Sequence, residues 1–134
     1  MKNILNHPVV DQLNDTTMGQ ALRRSASAYS DYSFFKTADD DVTFADFDQK
    51  VDQFSSALLN LGIERGDHVA VWLGNSLEWA LSFFSCARIG AVVIPINTRY
   101  TESEAAYIIK QSDSKVLILT GTLFKINFPK LLES

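Results

Sequence analysis

"HVAVWLGNSLEWALSFFSCARIGAVVIPI" (residues 68–96) is the stretch that decides the fold. It opens on His68–Leu73, rich in β-branched valine, and closes on the uncharged run Ala91–Ile96. Between them "SLEWALSFFSCARI" (76–89) is too long for one strand and stops at Gly90, where a left-handed helix cap is expected. Strand, helix and strand with short links form a βαβ unit, and such a crossover brings its two strands parallel. The pattern repeats at once: "ESEAAYIIKQS" (102–112) has helical spacing and "KVLILT" (115–120) is again a strand. The fold class is therefore α/β, a β-α-β-α-β parallel sheet with flanking helices. The helix over 76–89 is apolar on most faces, which predicts burial, and "AVVIPI" predicts a strand covered on both faces. Pro95 breaks the rule for a central strand, so it belongs at the strand's end or opposite a gap in the ladder.

Upstream, the sequence predicts a helix over Thr17–Tyr29, then a short hairpin of "YSFFKT" (32–37), the acidic loop Asp39–Asp41 and a second strand from Val42. Phe44, Phe47, Val51, Phe54, Leu58 and Leu61 recur every three or four residues, one apolar stripe of a long helix that ends before Gly62. "TMGQ" (17–20), "NSLE" (75–78) and "TESE" (101–104) each set a capping residue three positions before Gln or Glu, and "TFAD" (43–46) is a weaker version. Beyond Gly121, "LFKINFPKLLES" has apolar residues but no period.

Composition bounds the function. With 134 residues, 46% hydrophobic and 21% charged, the chain is an ordinary globular domain with a real core. A net charge of −4 argues against a nucleic-acid footprint. The single cysteine, Cys86, excludes an internal disulfide and a multi-cysteine metal site. "MKNILNHPVVDQLND" is broken by polar residues and makes a poor signal peptide. The apolar region Leu77–Ile96 carries Glu78, Arg88, Gly90 and Pro95, so it reads as interior helix and strand and not as a transmembrane segment. The default compartment is the cytoplasm.

No dinucleotide or Walker phosphate loop is present, and no G-x-S-x-G nucleophile elbow. His68 opens a strand with no ligand partner at useful spacing and reads as a surface residue; His7 is the other histidine. Cys86, Trp72 and Trp79 read as core fillers. Asp39–Asp41 could hold a cation, with a solvated hairpin loop as the plainer alternative. The strand 91–96 hands the chain to Asn97–Arg99 at a carboxyl end, where open α/β sheets gather ligands.

Residues 42–119 resemble the N-terminal part of the adenylate-forming enzymes, the acyl-CoA synthetase and adenylation-domain superfamily. "VTFADF" is similar to that family's first block, and "GIERGDHVAVWLGNSLEW" to its G-[VI]-x-x-G-D-x-V-A stretch followed by Asn-Ser. "ARIGAVVIPIN" is similar to K-x-G-A-x-x-x-P-[LIV]-[ND], with Arg88 where other members often have Lys. The resemblance implies a partial N-terminal subdomain of that fold over 1–134, ending before the loop that holds the ATP phosphates. The later blocks for adenine, ribose and magnesium, and the C-terminal lysine, have no counterpart in this sequence. The expectation is the opening segment of a larger enzyme, a natural short product or a shortened piece, inactive alone.

The parent so implied activates a carboxylic acid with ATP to an acyl-adenylate and passes the acyl group to CoA. Its cofactors are ATP, Mg²⁺ and CoA, none expected to bind well to this segment by itself. "IPINTRYT" resembles the acyl-CoA ligase branch, since peptide-synthetase domains more often have Asp at the position of Asn97. That favours fatty acids or related acids, and so lipid metabolism. In some ligases of the family the arginine matching Arg99 contacts a phosphate of the CoA nucleotide, a task suited to a planar guanidinium. The alternative for Arg99 is a surface arginine paired with Glu102 or Glu104. The expected partners are the remainder of the same enzyme and a second copy, through an exposed sheet flank. Two rival readings are a stand-alone interaction module derived from the fold, and a nucleotide-binding domain of flavodoxin or Rossmann type.

Overall fold

The computed structural model describes residues 15–123 together with 126 and 127. The signal-peptide reading and His7, and most of the aperiodic tail, lie outside the described residues. The chain divides into two compact units, residues 1–49 and 50–134.

In the first unit, α1 (Met18–Ala28) starts at a complete capping box. The Gln20 N–H donates to Thr17 Oγ1 at 3.2 Å, and the Thr17 N–H donates to Gln20 Oε1 at 2.9 Å. β1 (Ser33–Lys36) and β2 (Asp41–Thr43) form an antiparallel hairpin with Lys36 opposite Asp41. The Asp41 carboxylate holds Lys36 Nζ at 2.6 Å and accepts from Ser33 Oγ at 2.5 Å, and these bonds, that to Lys36 foremost, draw it below its ordinary value. The acidic run thus behaves as a hairpin end, and no metal-suited group of three His, Cys, Asp or Glu occurs among the described residues. Phe34 stacks on Phe47, with ring centroids 3.8 Å apart.

α2 (Phe44–Asn60) begins in this unit and passes into the second at Lys50. The Asp46 N–H is capped by Thr43 Oγ1 at 3.1 Å. Phe47, Val51 and Leu58 are buried as the stripe predicts, but Leu61 is 68% exposed. The cause is the helix end. Gly62 turns left-handed at φ +83°, the Ile63 N–H reaches Leu58 O at 3.1 Å and the Gly62 N–H reaches Leu59 O at 2.9 Å. This Schellman turn throws Leu61 outward and brings Ile63 into the core beside Leu58.

The second unit holds β3 (His68–Trp72), α3 (Leu77–Ile89), β4 (Val92–Pro95), α4 (Glu102–Gln111) and β5 (Val116–Leu119). The strand order is β4-β3-β5, and both neighbours run parallel to β3. Alternation along β3 splits the core in two. Val69, Val71 and Leu73 pack with Leu58, Ile63 and Cys86, while Ala70 and Trp72 pack with Ile96 and Ala105. A short antiparallel pair, β6 (Thr122–Leu123) with β7 (Ile126–Asn127), follows; the fading sequence pattern does not announce it. No helix among the described residues is long and apolar enough to cross a membrane.

Three expectations need correction. β4 is an edge strand whose first and last residues, Val92 and Pro95, are exposed and whose middle residues are half-buried, so its apolar run is only partly covered, whereas Val69–Trp72 of β3 are buried. The N-cap of α3 is Ser76, whose Oγ accepts from the Trp79 N–H at 3.3 Å, and not Asn75. α3 is only half-buried, and its fully covered positions are Ser82, Ser85 and Cys86. Small residues are needed there because α2 lies close: Ser85 Oγ donates to Val51 O at 3.3 Å and Ser55 Oγ to Ser85 O at 3.4 Å. Pro95 ends β4. The Val92 and Ile96 N–H groups both point at β3, meeting Asp67 O at 2.8 Å and Val71 O at 2.9 Å, so by alternation the nitrogen of Pro95 faces the open edge.

Candidate functional site

The carboxyl ends of β3, β4 and β5 open into a crevice of about 1280 Å³ in the second unit. Leu73–Ser76, Ile96–Arg99 and Ile118–Gly121 form its floor and rim, and α2 and α3 supply its walls. Three charged side chains line it, the cations Lys50 and Arg99 and the carboxylate Glu78.

One residue shapes the rim. The Asn97 carbonyl accepts from the indole Nε1–H of Trp72 at 3.1 Å and from the Tyr100 N–H at 3.0 Å. Its side-chain Oδ1 accepts from the Arg99 N–H at 3.0 Å, an Asx turn. β4 ends at Pro95, and after the Ile96 N–H has met Val71 O the chain leaves the sheet at Asn97, where these bonds replace the ladder. Arg99 is exposed, and among the described residues its guanidinium forms no ion pair. Glu104 is instead turned back on Thr101, accepting from its N–H and its Oγ1 at 2.8 Å each. Those bonds, the backbone one foremost, hold the Glu104 carboxyl below its ordinary range.

The amino end of the same sheet is closed. Lys115 Nζ lies 2.7 Å from Asp67 Oδ1, and the Glu64 N–H donates to Asp67 Oδ2 at 2.8 Å. The bond to Lys115 and then that from Glu64 draw the Asp67 carboxyl below its usual range, and the same pairing raises Lys115. His68, expected at the surface, is half-buried with Nδ1 against the Ser112 carbonyl. Cys86 is fully buried and its thiol is pushed up to about 11 by that burial, so it is core and not nucleophile. Trp72 fills the core as read, but the sequence reading missed its bond to Asn97. The signal was available: alternation puts Trp72 at the carboxyl end of β3, and a buried indole N–H requires an acceptor.

Comparison with known proteins places this geometry. The family described as AMP-binding enzyme matches residues 22–133. The chain belongs to the AMP-binding enzyme family. YngI of Bacillus subtilis, provisionally named an acyl-CoA synthetase, is 36% identical over 92% of the chain and 23% of its own length. A fatty acyl CoA synthetase of Mycobacterium tuberculosis superposes with a TM-score of 0.74 at 33% identity, over 77% of this chain and 21% of that one. The anthranilate CoA ligase AuaEII, solved with anthranoyl-AMP, gives a TM-score of 0.79 at 28% identity, over 87% of this chain and 22% of that one. The chain spans between 21% and 23% of the length of the first curated relatives it matches. The AMP-binding assignment agrees with the residue blocks read from the sequence and with the parallel β4-β3-β5 sheet.

Proposed function

We propose that residues 1–134 are the leading part of the AMP-binding domain of an ATP-dependent carboxylic-acid–CoA ligase, with fatty acids as the acid class. The observation that supports it is the family match over 22–133. In the proposed reaction a carboxylate oxygen attacks the α-phosphorus of ATP and pyrophosphate leaves. The CoA sulfur then attacks the acyl carbonyl and AMP leaves. This chain's share is positional: the crevice at the strand ends faces the remainder of the enzyme, and Arg99 offers its donors to a CoA phosphate. Among the described residues no group of three or more His, Cys, Asp or Glu side chains could hold a metal ion. The compartment in this reading is the cytoplasm.

The test is made in the longer protein that carries this chain. Arg99→Ala should raise the KM for CoA by roughly 10- to 100-fold, the loss of one charge-assisted contact of about 1.5–3 kcal/mol. Acid-dependent ATP–pyrophosphate exchange should persist. An unchanged KM for CoA removes Arg99 from the site, and absent exchange in the unaltered protein removes the ligase reading. The isolated 134-residue chain should show no exchange; turnover there would contradict its role as a segment.

A further inference from the structure

We infer that Trp72 and Asn97 are positioning residues for Arg99, fixing where its guanidinium stands at the rim of the crevice. The inference rests on the proposed contact between Arg99 and a CoA phosphate. Trp72 is fully buried as the last residue of the central strand, so its indole is anchored by the core on one side and holds the loop on the other. From Nε1 the connection passes through the Asn97 carbonyl, and from Asn97 Oδ1 to the backbone of Arg99. Ile96, 4% exposed and bonded to Val71 O, fixes the residue before. The backbone is therefore held up to Arg99, while the long side chain stays exposed and ready for an anion. A phenylalanine would fill most of the volume of Trp72. What the tryptophan adds is the N–H, and its acceptor belongs to the loop that presents the cation. Pre-setting that loop spares a ligand the ordering of the chain on arrival.

Two measurements test this. In the 134-residue chain, amide hydrogen exchange at Arg99 and Tyr100 should quicken by about fivefold in Trp72→Phe, the population shift expected for one neutral hydrogen bond. Exchange at Val69–Val71 should stay as it was. Equal protection at Arg99 in both proteins would overturn the inference whatever the ligand. In the longer enzyme, Trp72→Phe and Asn97→Ala should each raise the KM for CoA by about three- to tenfold with kcat little changed, and Asn97→Ser, which keeps a side-chain acceptor oxygen without adding charge, should recover part of it. Added to Arg99→Ala, Trp72→Phe should have no further effect on that KM. Full additivity would mean that Trp72 acts only through stability. If Arg99→Ala alone leaves the KM for CoA unmoved, the phosphate contact fails, and the exchange measurement still decides the positioning claim.

Discussion

At the residue scale the chemistry of a side chain follows from where the fold leaves it, and Cys86 and Arg99 mark the extremes. Cys86 lies on α3 and packs against α2 and β3 with no exposed surface, and burial moves its thiol from 9.0 to about 11. At pH 8 that shift alone cuts the thiolate fraction by about a hundredfold relative to an unperturbed thiol. A disulfide-exchange reagent should label native Cys86 at least that much more slowly than the urea-unfolded chain. Fast native labelling would show that α3 opens readily. The sign for stability is fixed too. The unfolded chain ionises first as pH rises past 9.0, so the contribution of Cys86 is complete below that value and is lost by about 11. Arg99 has the opposite surroundings, and its guanidinium forms no ion pair among the described residues.

At the element scale the sequence pattern located the helices and the strands through β5 but not the β6–β7 pair, and the other errors fell where tertiary packing overrides a period. The α2 stripe was readable through Leu58; its last member, Leu61, lay past a left-handed turn whose direction no periodicity encodes. The apolar run 91–96 was readable as a strand, but its place at the edge is decided by strand order, which depends on β5 much further along. The candidate site was legible as a location, the carboxyl end of β4 with Arg99, whereas Lys50, which also lines the crevice, arrives from α2 and could not be placed by local sequence. The seam between α2 and α3 shows the same dependence. The Arg88 side chain, 13% exposed, holds Asp52 at 2.6 Å beside the buried serines. Asp52→Ala strips the carboxylate from a nearly covered cation and should destabilise the chain by about 1–3 kcal/mol, seen as a lower denaturation midpoint. Arg88→Met removes the charge along with its need and should cost less. A larger loss in Arg88→Met would mean that the guanidinium stem, and not the pair, holds the seam.

At the scale of the whole molecule, the parallel sheet of the second unit has one end built for stability and one left open. The open end carries the crevice, with Lys50 and Arg99 lining it. The closed end is tied by Asp67 and Lys115 across the strand starts, with the Glu64 N–H on the second carboxylate oxygen. Because Asp67 titrates below its ordinary 3.8, its contribution is full above that value and is lost as pH falls through the lower native value. Because Lys115 titrates above its ordinary 10.5, its contribution is full below that value and is lost as pH rises through the higher native one. Asp67→Asn keeps the acceptor for Glu64 but removes the charge, so the Tm gap between the two proteins should be widest at neutral pH. It should close below pH 3.8 and again above pH 10.5. A gap that stays constant through the acid range would mean that the side-chain shape at position 67, and not the ion pair, closes that end. In the longer ligase proposed above, the same substitution should leave the KM for CoA unchanged, since Asp67 lies at the strand starts and Arg99 at the strand ends. A rise in that KM would show that the two ends are coupled through β3, and that the sheet is not the rigid spacer its two-faced core implies.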